Sequence, residues 1–222
     1  MFFGESYEPP AWEHARKLGA LNKKLLKTSR NYPDKVRLYN FWLQIQRIEK
    51  DGIAGDFAEL GVYKGDSAKL LNLMAAGRTI HLFDTFEGFT TTDLQPEEGE
   101  ASTYTTKNFA DTSINKVLKN IGGDPAHIKV NAGYFPQSAT DMEDVSFALV
   151  NLDADLYNPT KAGLEYFYSH ISPGGVIFIH DYNYKWEGLM KAVDEFVATI
   201  PEKLILVPDL DSTVMIIKNR LS

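Results

Sequence analysis

The sequence predicts an α/β fold: a mostly parallel seven-stranded sheet with helices on both faces and an antiparallel strand at its C-terminal end. Three observations predict it. Short apolar runs alternate with helical patterns of about a dozen residues, the rhythm of βαβ units in a sheet covered on both sides. The last two apolar runs, 203–209 and 212–218, are joined by too few residues for a parallel crossover and so must pair antiparallel. The chain has 222 residues, 44% of them apolar, enough for one sizeable core.

Taken in order, residues 1–10 read as irregular and end at Pro9 and Pro10. A helix is expected from Trp12 to about Lys27. Pro33 opens a second, "DKVRLYNFWLQIQRIEKDG", whose Val36, Leu38, Tyr39, Phe41, Trp42, Ile45 and Ile48 form a wide apolar face, with Gly52 as its C-cap. These helices form an N-terminal extension (1–50) on a main domain (51–222), the whole expected as one globular unit. "GDFAELGV" is a buried strand and "DSAKLLNLMAAG" a helix that stops at Gly77. "TIHLFD" is a strand. The polar, turn-rich stretch 86–107 reads as a lid-like insertion, and "TSINKVLKNIGG" as a helix. "HIKVNAG" and "FALVNLD" are strands, "PTKAGLEYFYSHI" a helix, "GGVIFIHD" a strand and "EGLMKAVDEFVATI" a helix before the closing pair.

Composition excludes several classes. The formal net charge is -7, with no long basic run, which argues against a nucleic-acid partner. There is no cysteine, hence no disulfide framework or thiol chemistry, and a reducing, cytoplasmic setting is expected. No run of 18 apolar residues is present, so no membrane partner is expected, and the first residues lack a signal-peptide pattern.

In an open parallel sheet, ligands bind beyond the carboxyl ends of the strands. The first strand ends in "ELGVYKGDS", whose Gly61 and Gly65 let backbone approach a ligand. The spacing is neither that of a dinucleotide site nor that of a phosphate loop. Glu59 suits a ligand with a positive amino or sulfonium group. The same glycines would also serve a plain strand-to-helix turn. The second strand ends at Asp84, 84 − 65 = 19 residues after Gly65, close to the spacing of about 20 at which an acid meets ribose hydroxyls. The other reading of Asp84 is a turn cap. Asp153, Asp155, Asp181 and His180 end the fourth and fifth strands. Carboxylates gathered at one edge repel unless a cation or proton lies between them, and oxygen ligands suit Mg²⁺ or another hard ion. Helix caps are the alternative.

Together "ELGVYKGDSA", "FDTFEGF", "NLDADLY", "SPGGVIFIHDY" and "KAVDEF" resemble the macrocin O-methyltransferase family, from about residue 37 to the C-terminus. The resemblance implies a Rossmann-like class I methyltransferase fold and S-adenosylmethionine as cofactor. It puts Glu59, Gly61, Tyr63 and Ser67 near the methionine part, and Asp84 on the ribose. Thr85 and Phe86 fall along the adenosine, Gly133 and Phe135 by the adenine. Asp153 adjoins the cofactor and, with Asp181, falls on the ligand positions of a divalent metal. Asp155 falls where relatives carry an acid assigned as general base. Relatives end the fifth strand with two acids; His180 replaces the first here, so the ion, Mg²⁺ or another, is held with fewer charges, or a first-row transition metal is used with His180 as ligand, or the metal has been lost, and His180 reads equally as a packed strand residue. The implied function is O-methylation of a hydroxyl on a small molecule such as a sugar or phenol. The alternative is a cofactor-binding protein of the same fold without transfer activity. Phe89, Tyr104, Phe109, Tyr182, Tyr184 and Trp186 are candidate walls for the acceptor. A homodimer is expected, because the apolar face of the helix over 34–50 is wide.

Overall fold

The computed structural model describes residues 7–220 apart from 76, 124 and 141. Helices α1 (Pro10–Lys17), α2 (Lys23–Asn31) and α3 (Lys35–Lys50) precede the α/β unit. That unit runs β1 (Asp56–Leu60), α4 (Asp66–Met74), β2 (Ile80–Asp84), α5 (Thr91–Leu94), α6 (Ile114–Ile121), β3 (Ile128–Ala132), β4 (Phe147–Leu152), α7 (Tyr157–His170), β5 (Ile171–Ile179), α8 (Glu187–Val197), β6 (Ile205–Leu206) and β7 (Val214–Ile217). The strands form one sheet in the order β3-β2-β1-β4-β5-β7-β6, parallel except for the two pairings that β7 makes.

The expected single helix over 12–27 is two. Gly19, at φ 71, ends α1 in the left-handed region, and the Asn22 side chain accepts the Leu25 N–H at 2.7 Å to begin α2. Strand β6 is shorter than its apolar run because Pro208 has no N–H for the ladder; Leu206 is left exposed. The 86–107 stretch folds around α5 and a 3₁₀ turn at Ala101–Thr103. Its Glu97 is buried and accepts the Tyr157 N–H at 2.7 Å, capping α7, whose own N-cap Leu156 has no polar side chain. This bond ties the middle of the 86–107 segment to the start of α7.

Alternation along each strand sorts side chains onto two cores. Phe57, Leu149, Phe178 and Met215 face α1–α4, whereas Ala58, Val150, Ile177 and Ile179 face α7 and α8. On the first side Phe41 is fully buried edge-on against Phe178, ring centroids 4.8 Å apart, and Trp42 meets Trp12 at 5.3 Å. Burying a ring this completely contributes about 2–3 kcal/mol. Ile45 and Ile48 are also buried within the single chain. The face that suggested a homodimer is thus covered without a second copy, and that reason for one is gone. Among the described residues no helix is long and apolar enough to cross a membrane.

Candidate active site

The strand order reverses between β1 and β4, whose partners lead away on opposite sides. A switch point of this kind leaves a crevice at the carboxyl ends. A cavity of about 510 Å³ opens there.

Gly61 continues the β1–β2 ladder by donating its N–H to Phe83 at 2.9 Å, then turns at φ 84. A Cβ at this position would lie 1.8 Å from the Asp153 carbonyl oxygen, so only glycine lets the turn cross the end of β4. Tyr63, at φ 49, donates its hydroxyl to Asp111 at 2.8 Å and packs edge-on to Phe109.

Asp84 closes that turn. Its Oδ2 accepts the N–H groups of Val62 at 2.7 Å and Tyr63 at 2.9 Å; its Oδ1 accepts Phe86 N–H at 2.7 Å. A carboxylate offers about four lone-pair sites, so about one remains for a ligand. The cap reading of Asp84 is realised, and a ribose would find one site rather than two. Thr85 lines the cavity but spends its hydroxyl on the Gly88 carbonyl at 2.9 Å. Phe86 turns its ring into the core instead of the cavity.

Glu59 lies behind the wall. It is fully buried and its Oε1 accepts from Ser67 Oγ and, at 2.8 Å, from Asn151 Nδ2. Its Oε2 has no partner. Burial outweighs those two bonds and pushes the carboxyl up to about 7. Asn151 Oδ1 in turn meets His180 Nε2 at 2.8 Å, and His180 Nδ1 lies 3.4 Å from Thr213 Oγ1. Thr213 donates its hydroxyl to Asp209. Glu59, Asn151, His180 and Thr213 thus form a polar row across β1, β4 and the ends of β5 and β7, beneath α3.

This row corrects the expected metal set. His180 is fully buried, both ring nitrogens face the row, and burial holds it well below the ordinary imidazole range, so it is neutral and turned away from the acids. The acids that do converge are Asp153, Asp155 and Asp181, with one carboxylate oxygen of each within 4.8 Å of the others. Asp155 and Asp181 hold left-handed φ values of 62 and 59, strained positions for residues with a Cβ. All three carboxyls are pushed up, chiefly by burial. Mutual repulsion adds to this for Asp155 and Asp181, and the Glu59 charge for Asp153. Three oxygen donors that resist ionising together fit a divalent cation, which would relieve that repulsion. Asp155, expected apart as a base, is the third member in place of His180.

The cavity is lined by Gly61, Tyr63, Ser67, Asp84, Thr85, Gly133, Phe135, Asp153, Asp155 and Asp181 of the predicted residues; Glu59, Phe86 and His180 stand outside it. Of the aromatics, Phe89, Phe109 and Trp186 line it, and Tyr104 packs behind them, 4.9 Å from Trp186. Tyr182 is committed to Asp194 at 2.6 Å and Tyr184 is exposed. Sequence reasoning missed Tyr32 and Arg37, which reach the cavity from the N-terminal helices.

With this geometry in hand, a profile described as Macrocin-O-methyltransferase (TylF) matches residues 26–212. The chain belongs to the macrocin O-methyltransferase family. Its relatives include the 8-demethyl-8-(2,3-dimethoxy-alpha-L-rhamnosyl)-tetracenomycin-C 4'-O-methyltransferase of Streptomyces olivaceus, 28% identical over 66% of this chain and 60% of that protein. The mycinamicin III 3''-O-methyltransferase of Micromonospora griseorubida is also 28% identical, over 66% of this chain and 62% of that one. The chain thus matches about three-fifths of the length of these curated relatives. Among solved structures it superposes on the O-methyltransferase NovP with a TM-score of 0.72, at 22% identity, covering 84% of this chain and 81% of the other. An O-methyltransferase from Bacillus cereus in complex with SAH gives 0.52 at 14% identity, covering 96% and 93%. These likenesses establish the class I methyltransferase fold.

Proposed function

We propose that this member of the family is an S-adenosylmethionine-dependent O-methyltransferase acting on a sugar hydroxyl of a small molecule, with a divalent ion held by Asp153, Asp155 and Asp181. The observation that carries the proposal is one cavity at the β1/β4 switch point that joins the glycine turn, Asp84 and three converging carboxylates. The family match and the sugar methyltransferases among the relatives support the same reading.

In this reading the Gly61–Ser67 turn receives the amino-acid end of the cofactor, Asp84 gives one acceptor site to the ribose, and Gly133 and Phe135 flank the base. When bound, the cofactor supplies an activated methyl group and the ion lowers the acceptor hydroxyl's pKa. Phe89, Phe109 and Trp186 hold the acceptor ring, exclude water and set its hydroxyl in line. Asp155 would take the hydroxyl proton as the methyl group passes from the sulfonium sulfur to that oxygen. Asn151 and the neutral His180 hold the strand ends that carry Asp153 and Asp181.

The test is transfer of labelled methyl from S-adenosylmethionine to a panel of glycosides and phenols, with and without chelator. Transfer to a glycoside, lost in chelator and restored by a divalent ion, is the expected result. Binding of cofactor with no transfer to any glycoside or phenol would favour the catalytically silent alternative. Full transfer in chelator would remove the ion and leave Asp155 as a lone base.

A further inference from the structure

We propose that Arg37 and Tyr32, delivered by the N-terminal helices, form the clamp for the α-carboxylate of the cofactor, an inference that rests on the S-adenosylmethionine reading of the same cavity. A cofactor with an amino-acid tail brings an anion into a cavity lined by Asp34, Asp66, Asp84, Asp153, Asp181 and Asp211, among others. An anion placed there without a cation would be repelled. Among the lining residues only Arg37 and Lys64 are cationic. Lys64, on the glycine turn itself, is half exposed and its ammonium is paired with Asp111 at 2.7 Å.

Arg37 is placed differently. Its side chain is 11% exposed, and it reaches the cavity from α3. It lines the cavity together with Gly61, Ser67, Asp153 and Asp181, beyond the ends of β1, β4 and β5. This is the methionine end of the cavity, next to Gly61 and Ser67. Two anchors fix the guanidinium: Nε donates to Asp209 at 3.3 Å and Nη2 to Asp211 at 2.9 Å. The Tyr32 hydroxyl is hydrogen-bonded to the same guanidinium. Tyr32 lines the same wall, one residue past the end of α2, and adds a hydroxyl donor. A guanidinium fixed by Asp209 and Asp211 and joined to a phenol hydroxyl is a donor pair preorganised for one carboxylate. It also gives the N-terminal helices a role in cofactor choice. The carboxylate-free ends of adenosine metabolites would gain nothing from them.

The test compares S-adenosylhomocysteine with its decarboxylated analogue, which keeps the adenosine, thioether and amino group. Calorimetric titration of the parent is expected to favour the carboxylate-bearing ligand by about tenfold or more. Arg37→Gln should bring the two ligands to within about threefold, chiefly by weakening S-adenosylhomocysteine. Tyr32→Phe, which removes one oxygen and keeps the fold, should weaken S-adenosylhomocysteine by about threefold and leave the analogue unchanged. Full discrimination retained in both variants overturns the clamp, as does equal weakening of both ligands, which would make Arg37 a structural brace for Asp209 and Asp211. Failure of the parent to bind either ligand would overturn the reading of the cavity itself and the clamp with it.

Discussion

Replacing Asp84 with alanine separates two roles of one carboxylate. The substitution removes the acceptor of three backbone N–H bonds, at 2.7, 2.9 and 2.7 Å, and with it the last acceptor site assigned to the ribose. Leaving a buried N–H unpaired costs about 1–3 kcal/mol. The site is half-buried and opens on the cavity, so water re-pairs part of it and the low end applies, roughly 3 kcal/mol for three bonds. At about 2–4 °C per kcal/mol for a chain of this size, the melting temperature should fall by about 6–12 °C. Asp84→Asn can keep its oxygen toward Val62 and Tyr63 while its amide faces Phe86, so it should lose about a third as much. Both variants should weaken S-adenosylhomocysteine by roughly 1–3 kcal/mol, since the glycine turn loosens and the ribose loses its partner. Thermal unfolding and calorimetry read the two effects separately. An alanine variant that melts with the parent would refute the anchoring argument. One that binds S-adenosylhomocysteine as tightly as the parent would refute the ribose assignment.

Asp153→Asn and Asp181→Asn should each lose stimulation of methyl transfer by divalent ions while binding S-adenosylhomocysteine within about threefold of the parent; unchanged ion dependence in both would remove the carboxylate cluster from the mechanism. Glu59 predicts a pH effect. Its folded carboxyl is raised from 4.5 to about 7, so its stabilising contribution is full below pH 4.5 and lost as pH rises to about 7. At about 1.4 kcal/mol per unit, ligand-free protein should lose roughly 3 kcal/mol over that range through this group, and Glu59→Gln should flatten the slope by that amount in urea titrations at several pH values. An equal slope in the variant would contradict the burial argument. Gly61→Ala should abolish cofactor binding, because its Cβ would meet the Asp153 carbonyl at 1.8 Å; normal affinity by calorimetry would show that the turn moves freely.

The sheet was legible because strand and helix periods alternate over most of the span from β1 to α8, and because so short a link between the last two strands admits only antiparallel pairing. The glycine turn and the acids at the strand ends were legible for the same reason: strand ends and their loops are local. What escaped the sequence was long-range. Gly19 and Asn22, which split the first helix, are an ordinary pair of caps inside an apolar pattern and were read through. His180 was left open between metal ligand and packed strand residue; its ring turns away from the acids, into line with Asn151. That a polar residue interrupts the apolar run "FALVNLD" was the one local sign of the buried row. Asp84 lines the cavity and Glu59 does not, and only the folded chain shows that backbone N–H groups already occupy most of Asp84. Arg37 sits among apolar residues of α3, and nothing local marks it as reaching a cavity whose other walls come from Leu60 through to Asp211.

Calorimetric titration with S-adenosylhomocysteine tests the central claim most directly, because it requires no knowledge of the acceptor. One site per chain is predicted, with no heat from a nicotinamide dinucleotide under the same conditions. No binding of S-adenosylhomocysteine, or binding of the dinucleotide in its place, would contradict the account.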